Sequence, residues 1–244
     1  MSTADTLPSA TLTRGLVAVG DSITRGSGDS MMGVRMQSWA LWLAEALQMP
    51  YTCLAVDGAR AHDALLTQIP RLQGPYDLAC VYVGVNDVRT PGWDQQAYRA
   101  DLESIAAALA GQARVRLLVG LPPAIGRPPA PLAAIEQANL SIVEVADRHG
   151  ALTVAQRSVG GRELTLPDQV HLTARGEARL ALLAAERLSQ AGLAADTGLL
   201  REALQPPGTR TRLRYAAGAG ALAQLRDWRR RGIEGAQRAR ERAR

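Results

Sequence analysis

Continuously apolar runs alternate with helical patterns along this 244-residue chain. The runs LVAVG (16–20), YTCLAV (51–56), LACVYVG (78–84), VRLLVG (115–120) and ALTVA (151–155) are short and partly β-branched. Unbroken apolarity over that length predicts strands covered on both faces, and hence a parallel sheet. Between them, SWALWLAEAL, HDALLTQI, DQQAYRADLESIAAALA, PLAAIEQANLSIVEVADRH and TARGEARLALLAAERLSQ carry the spacing of helices. Trp39 and Trp42 stand at helical spacing with Leu43 and Leu47 and read as a core face. Strand–helix alternation predicts an α/β fold: an open parallel sheet with helices on both faces. The segment QPPGTR (205–210) cannot continue a helix. A domain over residues 1–205 is therefore expected, followed by a tail over 206–244 that is partly helical or disordered.

Charge sharpens that boundary. From Thr209 to Arg244 there are 11 arginines against 3 acids, so the basic character belongs to the tail and says little about the domain's own ligand. The chain has no lysine. That excludes a Schiff-base lysine, a phosphate-loop lysine and a Ser-Lys dyad. Cys53 and Cys80 lie within apolar runs and read as two buried thiols of a reduced compartment. No apolar run approaches the length of a spanning helix, and MSTADTLPSATLTRG lacks an apolar signal core, so a cytoplasmic location is expected.

Candidate chemistry collects at the predicted strand exits. In open α/β sheets, ligands bind beyond the carboxyl ends of the strands, where the strand order reverses. Here the first three strands end in GDS, DGAR and GVNDVR. With the first strand central and the other two flanking it, these exits converge, and Gly20-Asp21 lifts Ser22 onto the rim. Serine needs a base beside it to act as a nucleophile. Of the three histidines, His149 in ADRHG reads as a helix C-terminal cap, and His62 as a solvated helix start. His171 lies in LPDQVHLTARG, three residues after Asp168. A tight turn would let that carboxylate face one ring nitrogen while Ser22 faces the other. Asp21 and Asp87 read as turn and loop carboxylates.

Four short blocks appear in order: Gly20-Asp21-Ser22, Gly58 in VDGAR, Gly84-Val85-Asn86-Asp87 and Asp168-Gln169-Val170-His171. On these blocks the chain resembles the SGNH (GDSL-type) hydrolases, over roughly residues 14–195. The second block departs mildly from the usual pattern, with Val56-Asp57 where Asn or Ser is common. The resemblance implies a three-layer α/β/α, flavodoxin-like sandwich with a five-stranded sheet in the order 2-1-3-4-5. It implies that Ser22 attacks an ester carbonyl, His171 acts as base and Asp168 orients the imidazole. It also implies an oxyanion hole from the backbone N–H groups of Ser22 and Gly58 and the Asn86 amide, aided by a helix start at Ser22. Neither a cofactor nor a metal is implied. No G-x-S-x-G motif or H-E-x-x-H motif is present.

Substrate identity is less legible. GSGDSMMGVRMQS and LPPAIGRPPAP are the expected walls of the site, with Met31, Met32 and Met36 as candidates for an acyl groove or simple loop packing. Arg25, Arg60 and Arg89 each follow a block closely, and read as salt-bridge partners of nearby aspartates or as contacts for an anionic substrate group. The expected partner is a small-molecule ester. Two alternatives stand beside ester hydrolysis. The same machinery would serve an acyltransferase. The arginine-rich tail would serve a non-enzymatic protein that binds nucleic acid or an anionic membrane, although Leu222, Leu225 and Trp228 make a poor membrane face.

Overall fold

Five strands form one sheet, parallel throughout, in the order β2-β1-β3-β4-β5. The computed structural model describes residues 15–156, 159–161 and 163–213. The strands are β1 (Leu16–Gly20), β2 (Tyr51–Cys53), β3 (Tyr76–Tyr82), β4 (Ala113–Val119) and β5 (Leu152–Val154). In β1 every residue is buried, and β3 is nearly so, which is why both read as unbroken apolar runs. The edge strands β2 and β5 keep only three residues each in the ladder, fewer than their apolar runs suggest. The registers that frame the site are Gly20 opposite Tyr82 and Ala18 opposite Cys53.

Helices α1 (Ser22–Arg25), α2 (Trp39–Ala46), α3 (Ala61–Thr67), α4 (Gln95–Ala110), α5 (Leu132–Arg148), α6 (Ala174–Gln190) and α7 (Gly198–Leu204) complete the fold. One group packs α2 and α7 on α6, and the other packs α3 and α5 on α4. Trp39 is fully buried and Trp42 nearly so, as their spacing predicts. The sequence pattern does not reveal α7, whose seven residues carry few signals. Tertiary bonding ends it: the buried Arg175 donates to the carbonyls of Ala203, Leu204 and Gln205, at 3.1, 2.9 and 2.8 Å. A guanidinium there satisfies carbonyls that a helix end leaves orphaned.

Two expectations change. Cys80 is buried but Cys53 is exposed, because β2 is an edge strand. The two thiols also cannot pair across adjacent strands, since β1 lies between them. Of the expected tail, residues 214–244 lie outside the described residues, while 209–213 are helical. Among the described residues, no helix is long and apolar enough to cross a membrane.

The start of α6 sits hard against the preceding loop. A Cβ on Gly176 would overlap the backbone carbonyl of Leu164. In an exposed helix, Gly→Ala gains about 1 kcal/mol. Here the steric conflict outweighs that gain. Gly176→Ala is expected to lose about 1–3 kcal/mol in urea unfolding, with an unchanged m-value.

Candidate active site

Each strand exit that carries a sequence block is pinned by side chains. Beyond β1, Gln68 holds Gly20 from both sides: Gly20 N–H donates to Oε1 at 2.9 Å, and Nε2 donates to the Gly20 carbonyl at 2.8 Å. Asp21 then caps α1, its Oδ1 accepting from Ile23 N–H at 3.0 Å. Gly26, at φ +92°, closes that single turn. Ser22 is thereby held at the end of the sheet with little exposure. A one-turn helix has almost no macrodipole. What α1 offers a ligand is the N–H of Ser22, which has no described acceptor, not the field expected from the sequence.

The 163–173 loop brings His171. Leu166 N–H donates to the His171 carbonyl at 2.8 Å, and Gln169 N–H donates back to the Leu166 carbonyl at 2.9 Å. Gln169 takes a positive φ of 55° to close this turn. Asp168 Oδ1 accepts from the N–H groups of Val170 and His171, at 2.9 and 3.1 Å. Its other oxygen, Oδ2, lies 2.7 Å from His171 Nδ1, and His171 Nε2 lies 2.9 Å from the Ser22 hydroxyl. Residues 149 positions apart therefore form one hydrogen-bonded chain. Burial pushes Asp168 upward, but the bond and charge of His171, with the two backbone donors, hold it below the usual carboxylate range. An ionised carboxylate only accepts, so Nδ1 carries the proton in the neutral ring and Nε2 accepts from the Ser22 hydroxyl.

The other two blocks are clamped together. Asn86 Nδ2 donates to the Ala59 carbonyl at 3.1 Å, and Asp87 accepts from Ala61 N–H at 3.1 Å. The adjacent Asn-Asp pair thus grips the loop that contains Gly58. Gly58 has φ +77°, and a Cβ there would meet no protein atom within 4 Å. Conformation, not crowding by the protein, reserves that position for glycine. Asp57 ties the same loop to α1: Ser27 Oγ donates to it at 2.9 Å, and Arg25 stands 3.8 Å away. Among the described residues nothing accepts from the N–H of Ser22 or Gly58. One N–H of the Asn86 amide also lacks a described acceptor.

The remaining candidates sort by their partners. His149 caps α5 and bonds Glu103 at 2.6 Å. His62 is exposed and pairs with Asp101 at 3.2 Å. Arg60 pairs with Asp63 at 3.4 Å. Arg89 lies against Gly126, and no described carboxylate pairs with it. Both expected walls touch the histidine loop. Gly126 N–H donates to the Gln169 carbonyl at 2.7 Å, and Gly28 packs against the Leu172 carbonyl so closely that no side chain fits. Met31 is buried and pairs with Val34 in its own loop, whereas Met36 reaches Gly28. Among the described residues, no cluster of His, Cys, Asp and Glu is arranged to hold a metal ion.

Sequence reasoning missed Gln68 and Glu177. Both are fully buried polar side chains in helical stretches, and their signal is a polar residue at a core position of the helical period. Burial raises Asp21 to about 7 and Asp87 to about 6, against the lowering effect of their backbone hydrogen bonds. The charge of His171 also acts on Asp21, lowering it.

Residues 18–179 match the family described as GDSL-like lipase/acylhydrolase. The fold is similar to a lipase/acylhydrolase from Enterococcus faecalis, at TM-score 0.59 and 17% identity, covering 73% of this chain and 96% of that one. It is similar to an α/β hydrolase from the metagenome of Lake Arreo, at TM-score 0.58 and 19% identity, covering 72% and 95%. An acetylxylan esterase from Geobacillus stearothermophilus aligns at TM-score 0.56 and 18% identity, covering 72% and 94%. At these identities the likeness speaks for the fold. No curated protein matches the chain.

The raised Asp21 carboxyl makes a stability prediction. Its folded value lies above its unfolded one, so its contribution is fully present below about pH 4 and is lost as pH rises towards 7. The difference in Tm between wild type and Asp21→Asn is expected to shift against wild type between pH 4 and pH 7. Differential scanning calorimetry across that range checks it; a flat difference contradicts the assignment.

Proposed function

The chain belongs to the GDSL-like lipase/acylhydrolase family, and we propose that it is a serine hydrolase of carboxylic esters with Ser22 as nucleophile. The observation that carries this reading is the continuous chain from Ser22 Oγ through His171 to Asp168, at 2.9 and 2.7 Å. As Ser22 attacks the ester carbonyl, its proton passes to His171 Nε2. Asp168 holds the ring in the required tautomer and offsets the charge of the imidazolium that forms. The tetrahedral oxyanion is received by the N–H groups of Ser22 and Gly58 and by the Asn86 amide. Collapse releases the alcohol, which takes the proton from His171, and leaves an acyl-Ser22 ester. Water, deprotonated by the same His171, then releases the acid and restores Ser22.

The energetic logic favours donors that are already in place. Gly58 and Asn86 are gripped by Asp87 and the Ala59 carbonyl, so little reorganises as charge develops. Esters also require no group that this site lacks: the leaving alcohol needs one proton, and His171 returns the one it took. Small-molecule esters are the proposed substrate class, with the loops around Met36 and Gly126 as the walls nearest the histidine loop.

Purified protein with an activated short-chain ester tests the proposal. Ser22→Ala and His171→Ala are expected to abolish turnover, and Ser22→Ala to abolish labelling by a fluorophosphonate. Near-wild-type turnover in either variant overturns the mechanism. Asn86→Ala is expected to lower kcat by about a hundred- to a thousandfold while KM stays nearly constant, because its hydrogen bond strengthens only as the oxyanion forms. Adding glycerol as acceptor separates hydrolysis from acyl transfer: acid alone as product supports hydrolysis, and a glyceryl ester redirects the assignment to transfer.

A further inference from the structure

Ser22 and His171 reach each other from elements with no local connection. Ser22 opens α1, next to α2, whereas His171 belongs to the loop that enters α6. The loop after α1 meets the start of α6 through its backbone, Ala174 N–H donating to the Asp29 carbonyl at 2.9 Å, and one buried side chain bridges α6 to α2. Glu177, in the first turn of α6, is fully buried, and its Oε2 accepts from Trp39 N–H at the start of α2, at 2.8 Å. The Trp39 ring carries the link onward, its Nε1 donating to Thr24 Oγ1 in α1 at 3.4 Å. Thr24 is also fully buried, and sits two residues from Ser22. A second contact reinforces the seam: Gly26, at the end of α1, packs on the backbone and Cβ of Ser38, which caps α2.

Nothing else accounts for an acid at this position. Among the described residues no cation pairs with Glu177, and its other oxygen, Oε1, has no hydrogen-bond partner. An uncompensated buried acid costs stability. Burial pushes its carboxyl well above the ordinary range, with the nearby Asp21 adding to the shift and the Trp39 bond opposing it. The side chain therefore acts as a neutral acceptor. Its single bond spans α6 and α2, the two elements on which the histidine and serine ends of the site rest.

We propose that Glu177 is a positioning residue that sets the distance between Ser22 and His171 by tying the start of α6 to α2 and, through Trp39 and Thr24, to α1. The inference rests on the reading of Ser22 and His171 given above. Small errors in such a distance are costly: a misplacement of about 1 Å lowers rate by up to about a hundredfold without touching the reacting groups. The effect belongs in kcat and in nucleophile reactivity, not in substrate affinity.

The test uses the full chain, an activated acetyl ester and a fluorophosphonate, with circular dichroism to verify folding. Glu177→Ala is expected to lower kcat and the labelling rate of Ser22 by about tenfold or more, with KM within about twofold. Glu177→Gln keeps an acceptor for Trp39 N–H and is expected to recover most of both rates. A folded Glu177→Ala whose labelling rate stays near wild type overturns the proposal, as does a Glu177→Gln that loses as much as Glu177→Ala. Should Glu177→Ala not fold, Thr24→Val reads the same link from its other end. A labelling rate reduced at constant KM supports the proposal, and an unchanged rate overturns it. Ser22→Ala, measured alongside, separates the two failures: if it stays active, the reading of the site is wrong and not merely the role of Glu177.

Discussion

A parallel sheet abandons its backbone at the end of every strand. The ladder stops, the next residue is still shielded from water, and its N–H and C=O groups need partners. In this protein the partners are side chains from helices, caps and loops around the sheet end. Gln68 takes both groups of Gly20, Asn139 takes both groups of Leu121, and Gln156 takes the carbonyl of Gly120. Asp21 and Asp87 take the N–H groups of Ile23 and Ala61. At the same end of the sheet, no described residue accepts from the N–H groups of Ser22 and Gly58. The proposed oxyanion is an acceptor suited to those two N–H groups.

The carboxylates around this spot divide by what surrounds them. Asp168 receives two backbone N–H groups and faces an imidazole, so it stays ionised and can stabilise a positive ring. Asp21, Asp87 and Glu177 have backbone N–H partners but lie deeper, and desolvation dominates, so all three are raised. Four acids of similar intrinsic strength thus separate into one held below the usual carboxylate range beside His171 and three raised by burial. Environment, not residue type, makes the distinction.

Much of this is legible in the chain. The five strands and five of the helices labelled α1–α7 among the described residues follow from the apolar runs and the helical period. The Asp168–His171 turn is nearly local, since a three-residue gap closes through a positive φ at Gln169. The four blocks were visible as words whose order matched a family, and that family is the one to which the chain belongs. The exposure of Cys53 was not legible, because an apolar run does not say which strand lies at an edge. Nor was α7, which ends on carbonyls held by an arginine nearly thirty residues earlier.

By itself, the sequence determined everything that depends on neighbours along the chain: strand runs, helix periods, caps and the short turn that joins a carboxylate to an imidazole. Those are set by backbone stereochemistry and by the alternation of apolar and polar side chains. The 2.9 Å contact between Ser22 and His171, the grip of Asn86 and Asp87 on the Gly58 loop, and the reach of Glu177 to Trp39 were decided only in three dimensions. Each joins residues tens to well over a hundred positions apart. No local preference encodes such a distance; it emerges only when strand order and helix packing bring the separate exits to one end of the sheet.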